Sequence, residues 1–154
     1  MRRFTLLCCA AVLVGCAKTE DRPATDSAAV AATAAPPATL SLADVAGKWT
    51  VRATNEAGDS IVTYVMTATA DTSGWTFTFP KRKPVPVRVV AVDGDSVVTE
   101  AGPYESVLRK GVQVTTRNVT RLQGGKLVGT TKATYAGGGA DSVLMARTEG
   151  TREP

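Results

Sequence analysis

The chain has 154 residues, with 18 Lys or Arg against 14 Asp or Glu, a net charge of +4. It contains no His, which removes the commonest general base and the commonest zinc ligand, and its three Cys all stand before residue 17. With 5% aromatic residues there is no run of interleaved bases and aromatics, so nucleic acid is not an expected partner.

The first element is a targeting segment. Met1-Arg2-Arg3 is a short positive start, and Phe4 to Val14 (FTLLCCAAVLV) is an uncharged apolar run of 11 residues. A membrane-spanning helix needs about 20 such residues, so this run reads as a secretory signal rather than a transmembrane anchor. It ends in Leu13-Val14-Gly15-Cys16: a branched apolar residue, a small one, then Cys. That stretch resembles the lipobox of bacterial lipoproteins. The resemblance implies that residues 1–15 are removed, that the Cys16 thiol carries a diacylglycerol, and that the membrane is met through this lipid. Ala17 follows in place of the Asp that retains many such proteins at the inner membrane, so the same resemblance implies the outer membrane, facing the periplasm. Cys8 and Cys9 fall in the removed segment, which leaves the processed chain no second thiol and hence no disulfide. Without Arg2 and Arg3, 16 bases face 14 acids, a net charge of +2.

Residues 16–40 form the second region. After the cysteine, Ala17 to Leu40 (AKTEDRPATDSAAVAATAAPPATL) holds small and polar residues with no aromatic side chain. It cannot bury enough apolar surface to offset the entropy of ordering it. As a random coil it would reach ~25–30 Å, a tether for the domain that follows.

Residues 41–154 have the size of one small domain. Period-two alternation rich in Val, Thr and aromatics predicts eight strands: Lys48–Asn55, Ser60–Thr69, Gly74–Phe79, Val85–Val92, Asp95–Leu108, Val112–Leu122, Lys126–Tyr135 and Ala140–Thr148. Gly- and Asp-rich turns separate them, and Asp93-Gly94 is the clearest hairpin signal. Gly102-Pro103 interrupts the fifth segment and predicts a bulge or break there, because Pro cannot donate to a ladder. Leu42 to Ala46 predicts at most one helical turn. The expected fold is all-β: an up-and-down antiparallel meander of about eight strands, closed or nearly closed into a barrel. A two-sheet sandwich is the alternative.

The first strand opens Gly47-Lys48-Trp49 after the short helix-like segment. This G-x-W resembles the start of lipocalin-like proteins. The resemblance implies that Trp49 packs across the closed end of the barrel and that a basic residue after the last strand covers it. Arg147 and Arg152 are the two positions able to do so.

Alternation also assigns faces. Trp49, Val51 and Ala53 are predicted inward, as are Trp75, Phe77 and Phe79, and Val85, Val87 and Val89. On the sixth segment Val112 and Val114 continue as Thr116, Asn118 and Thr120; on the seventh Leu127, Gly129, Thr131, Ala133 and Tyr135 share the inner face. The second, fifth and eighth segments leave both faces open. An apolar interior with a few polar groups is the composition of a small-molecule site. The candidate lining is Trp49, Trp75, Phe77, Thr116, Asn118, Thr120, Thr131 and Tyr135, and the candidate occupant a small apolar or amphipathic molecule. The alternative is a filled core whose hydroxyls bond to one another, in a lipoprotein that works through its outer surface with a protein partner the sequence does not name.

No motif assembles a catalytic group, cofactor site or metal site. Ser60, Ser96, Ser106 and Ser142 read as strand or strand-end residues, Asp93 and Asp95 lack the ligand count for calcium, and Gly137-Gly138-Gly139 lacks the Lys and helix of a phosphate loop. Lys81-Arg82-Lys83, between two prolines, is a solvated loop or a contact for anionic headgroups.

Overall fold

The computed structural model describes residues 39–139 and 141–154. The signal segment, Cys16 and nearly all of the tether lie outside the described residues.

Ser41 caps a single helical turn, α1 (Leu42–Val45): its hydroxyl accepts from the Ala43 N–H at 3.2 Å, and the Asp44 carboxylate accepts from the Ser41 N–H at 2.9 Å. This reciprocal cap occupies donors that a bare helix start leaves open. Eight strands follow: β1 (Gly47–Thr54), β2 (Ser60–Ala68), β3 (Thr76–Thr78), β4 (Val85–Asp93), β5 (Ser96–Glu105), β6 (Gln113–Gln123), β7 (Lys126–Tyr135) and β8 (Val143–Arg152). Each pairs antiparallel with its predecessor, and β8 returns to β1 in a register running from Trp49↔Arg152 to Thr54↔Arg147. The meander is a closed barrel, so no edge is left unpaired, and the sandwich is excluded.

Three boundaries differ from expectation. β3 is shorter than Gly74–Phe79, spanning Thr76–Thr78, and just before it the Trp75 indole N–H donates to the Asp71 carbonyl at 2.8 Å. β5 ends at Glu105 rather than Leu108, while the bulge expected at Gly102-Pro103 is there, as a register shift between Ala101 and Tyr104. β8 begins at Val143 and runs on through Gly150 to Arg152, past the expected end at Thr148. In the barrel Gly150 lies between β1 and β7, and a Cβ there would fall 3.2 Å from Leu127 Cβ and 3.3 Å from Val51 Cγ2. Its neighbours fill the place a side chain would take.

The predicted inward faces are the buried ones on β1, β4, β6 and β7, and the unresolved faces settle on Tyr64, Met66 and Ala68, on Val97, Thr99 and Ala101, and on Leu144 and Ala146. Apolar groups point in and Lys, Arg and Glu point out, the reverse of a barrel whose outer band faces lipid. Leu40 belongs to the domain rather than the tether: its N–H donates to the Gly94 carbonyl at 2.9 Å and its side chain packs on the core.

α1 plugs one end. Trp49 is fully buried beneath it, with its indole N–H on the Val45 carbonyl at 2.8 Å. The Arg152 guanidinium carbon sits 4.3 Å from the centre of the Trp49 ring, and the same group donates to the Asp44 carbonyl at 2.6 Å. Arg152 is therefore the covering cation. Arg147 is not: it lies opposite Thr54 and Thr130 on the outer face, exposed.

Candidate functional site: the open end of the barrel

The end opposite α1 is formed by the connections after β1, β3, β5 and β7, and here an apolar cavity of about 60 Å³ is set into the barrel. One wall is aromatic. Tyr64 meets Phe77 edge-on at 5.0 Å between ring centres and Phe79 at 5.3 Å, and Phe79 stacks on Tyr104 at 5.7 Å. Such contacts hold rings in place beyond their simple burial. They arise because β2 and β3 each alternate aromatic or large residues inward against outward Thr and Val.

The facing wall, from β6 and β7, carries the polar groups. Thr131 donates its hydroxyl to Asn118 Oδ1 at 2.6 Å, and Asn118 Nδ2 donates to Thr99 Oγ1 at 3.3 Å. These three side chains satisfy one another across three strands, as a filled core would require. Thr116 is different. It is 7% exposed, its hydroxyl oxygen is buried, and it completes no hydrogen bond. Burial is the larger effect on the Tyr104 phenol and leaves its pKa raised; short of a full hydrogen bond, the Thr116 hydroxyl still faces that phenol closely enough to pull the pKa down. Burial pushes Tyr64 up further still.

The rim is tied by cations. Arg82 donates to the Glu105 carbonyl at 2.7 Å and to the Ser106 carbonyl at 3.2 Å, joining the connection after β3 to the one after β5. The Lys81-Arg82-Lys83 cluster is thus only partly a solvated loop. Arg109 lies 3.9 Å from the centre of the Tyr135 ring. Ser106, 2% exposed, accepts from the N–H groups of Leu108 and Arg109 at 3.0 Å each, which shapes the turn that carries Arg109.

Of the predicted lining, Phe77, Thr116, Asn118, Thr131 and Tyr135 meet at this cavity. Trp49, Trp75 and Thr120 do not. Trp49 is sealed under α1, while Trp75 and Thr120 border a void of about 10 Å³ beside Val45 at the plugged end. Sharing an inward face does not put residues at one depth, because alternate residues step ~6.6–6.8 Å along the strand. Tyr64, Tyr104, Ser106 and Arg109 were missed. A Ser followed by a short basic turn ending in Gly111 is a signal for the Ser106 turn; nothing local marks the two tyrosines. Among the described residues no three Cys, Asp or Glu gather in the manner of a metal site.

Comparison of the chain with protein-family models, with characterised proteins and with solved structures finds no match.

Proposed function

We propose that this is an envelope lipoprotein: a lipocalin-like barrel on a flexible tether, anchored through acylated Cys16 in the outer membrane and facing the periplasm. It performs no chemistry and binds a small apolar or amphipathic molecule at the open end. The lipobox supports the anchor. The observation that carries the binding is the Thr116 hydroxyl, a buried polar group that faces the Tyr104 phenol but completes no hydrogen bond, in the wall of a cavity whose Asn118 and Thr131 satisfy each other. Leaving such a group unpaired costs ~1–3 kcal/mol, and a ligand oxygen in the cavity removes that cost once the Thr116 side chain turns toward it. Pockets for drug-sized ligands measure ~300–1,000 Å³, so a cavity of about 60 Å³ suits a small molecule or one end of an alkyl chain.

The test is a calorimetric titration of the full chain, held in non-ionic detergent, with 1-octanol, alongside native mass spectrometry of protein isolated from its own envelope. Saturable heat and a bound small molecule are expected, with both lost in Ala133→Leu, which fills the cavity. No heat and no adduct from the folded protein would mean a filled core, and the chain would then be an interaction lipoprotein working through its surface.

A further inference from the structure

The outer surface of the barrel is divided. On β6, β7, β8 and β1 the outward positions carry Arg117 and Arg121, Lys126 and Lys132, Arg147, and Lys48 and Arg52, against a single acid, Glu149. The outward positions of β2 to β5 are mostly Thr and Val, with Arg88 and Glu100 bound to each other at 2.7 Å. A chain of nearly balanced charge has therefore placed its excess cations on one half of its wall. Three are neutralised: Lys126 by Glu149 at 2.8 Å, Arg117 by Glu100 at 2.6 Å, and Arg121 more distantly by Asp95 at 3.9 Å. Among the described residues no acid comes within salt-bridge distance of Lys48, Arg52, Lys132 or Arg147, although Glu149, bonded to Lys126, stands opposite Arg52 and feels its charge. Lys132 even stands directly opposite Arg117, a like-charge pair that weakens a sheet on its own.

This half is also concave. A groove of about 850 Å³ runs over it, holding Arg52, Arg121 and Arg147, with the lone acid Glu149 held by Lys126, among the hydroxyls of Thr54 and Thr130; the Thr50 hydroxyl beside them donates to Glu153 at 2.8 Å. Its floor includes Gly129, where β6 approaches so closely that a Cβ would fall 2.2 Å from the Val119 carbonyl oxygen. Arg52 and Arg121 lie on one row, linked through Glu149 and Val128, three strand spacings or ~14 Å apart.

We infer that this groove binds an acidic glycan: a sugar chain bearing carboxylate, sulfate or phosphate groups. The cations meet its charges, and the threonine hydroxyls, which both donate and accept, meet its own. A protein partner fits poorly, because stable interfaces centre on aromatic or large apolar anchors, and among the described residues the groove has only Val119 and Val128. A flat bilayer meets the rim of a groove before its lining. The inference does not depend on the cavity at the open end.

The experiment measures binding of the full chain, in non-ionic detergent, to immobilised dextran sulfate, polygalacturonate and neutral dextran, and to phosphatidylglycerol vesicles. Expected is binding to both acidic polymers that weakens with salt, and none to dextran. The double variant Arg52→Ser/Arg147→Ser should lose tenfold or more in affinity. Lys83→Ser/Arg88→Ser, of identical net charge but outside the groove, should stay within twofold. Arg147→Glu alone, at an exposed site flanked by threonines, gives the loss with a single change should the first double variant misfold. Equal weakening by both doubles would show attraction to net charge alone and overturn the site. Binding to dextran as tight as to the acidic polymers, no binding to either acidic polymer, or tighter binding to the vesicles would overturn the ligand.

Discussion

Truncating Trp49 to Ala should nearly unfold the barrel. The ring is fully buried, so its burial alone represents ~4–6 kcal/mol at ~25 cal/mol per Å² over 150–250 Å². That is an upper bound, and measured Trp→Ala losses in cores run ~3–5 kcal/mol. The Val45 carbonyl loses its donor, a further ~1 kcal/mol, and Arg152 loses the ring it covers, ~0.5–2 kcal/mol. A loss near 4–5 kcal/mol set against a stability of ~5–15 kcal/mol leaves a marginal fold. In urea, with a slope of ~2 kcal/mol per molar, the midpoint should fall by ~2 M. A double-mutant cycle with Arg152→Gln should show coupling of ~0.5–2 kcal/mol, and one with Arg147→Gln should show none. A midpoint shift below ~0.5 M would refute the plugged end, as would coupling to Arg147 instead of Arg152.

The glycine of the G-x-W has its own consequence: Gly47 sits at φ +133° with Arg152 Nη1 2.9 Å from a would-be Cβ, so Gly47→Ala should cost ~1–3 kcal/mol by thermal melting. Gly129→Ala should cost at least as much, because its obstacle is backbone rather than a flexible side chain. Arg117, and then Arg88, hold the Glu100 carboxyl below its ordinary 4.5. A lowered folded pKa adds stability above that value and loses it as pH falls below; Glu100→Gln should therefore flatten part of the acid decline below pH 4.5 in melting experiments. Tyr64 has the opposite sign, raised by burial from 10.0, so its contribution is intact below pH 10 and lost above it; Tyr64→Phe should flatten the alkaline decline. Cys16→Ser should move the protein from the membrane to the soluble fraction, since no other anchor is proposed, and its continued sedimentation with membranes would remove the lipoprotein reading.

The strands were legible because each inward row is chemically unlike its outward row: Trp49, Val51 and Ala53 against Lys48, Thr50 and Arg52 leaves one register. β8 was not. Its residues Leu144, Ala146, Thr148 and Gly150 mix with Met145 and Val143 in polarity, so the sequence did not say which of Arg147 and Arg152 had the inward parity. Pairing with β1 decides it: Arg152 falls opposite Trp49, and Arg147 falls opposite Thr54 on the other face. The cavity wall was legible by face and illegible by depth, which is why Phe77 and Tyr135 were found together with Trp75 and Thr120 at the wrong level. That Thr116 lacks a partner while Thr131 and Asn118 satisfy each other depends on register and side-chain angle, which no local pattern carries. Arg109 and Ser106 stand in a connection, where alternation has no meaning.

A strand of period two can carry two unrelated surfaces, and β6 does. Its even positions, Thr116, Asn118 and Thr120, look into the barrel, while its odd positions, Thr115, Arg117 and Arg121, look out. The two proposed sites therefore share strands without sharing side chains. Changes at one should leave the other intact, since sites without common partners contribute independently. Ala133→Leu should abolish 1-octanol binding and leave dextran sulfate binding within twofold, and Arg52→Ser/Arg147→Ser should do the reverse. Thr116→Val sharpens the point: it removes a buried hydroxyl that has no partner, so stability should hold or rise by up to ~1 kcal/mol, while octanol affinity falls. If Thr116→Val instead lowers the melting temperature, the hydroxyl is bonded in solution and the argument for a ligand there fails. If each set of variants impairs both ligands, the two surfaces report a common loss of fold, and neither site stands.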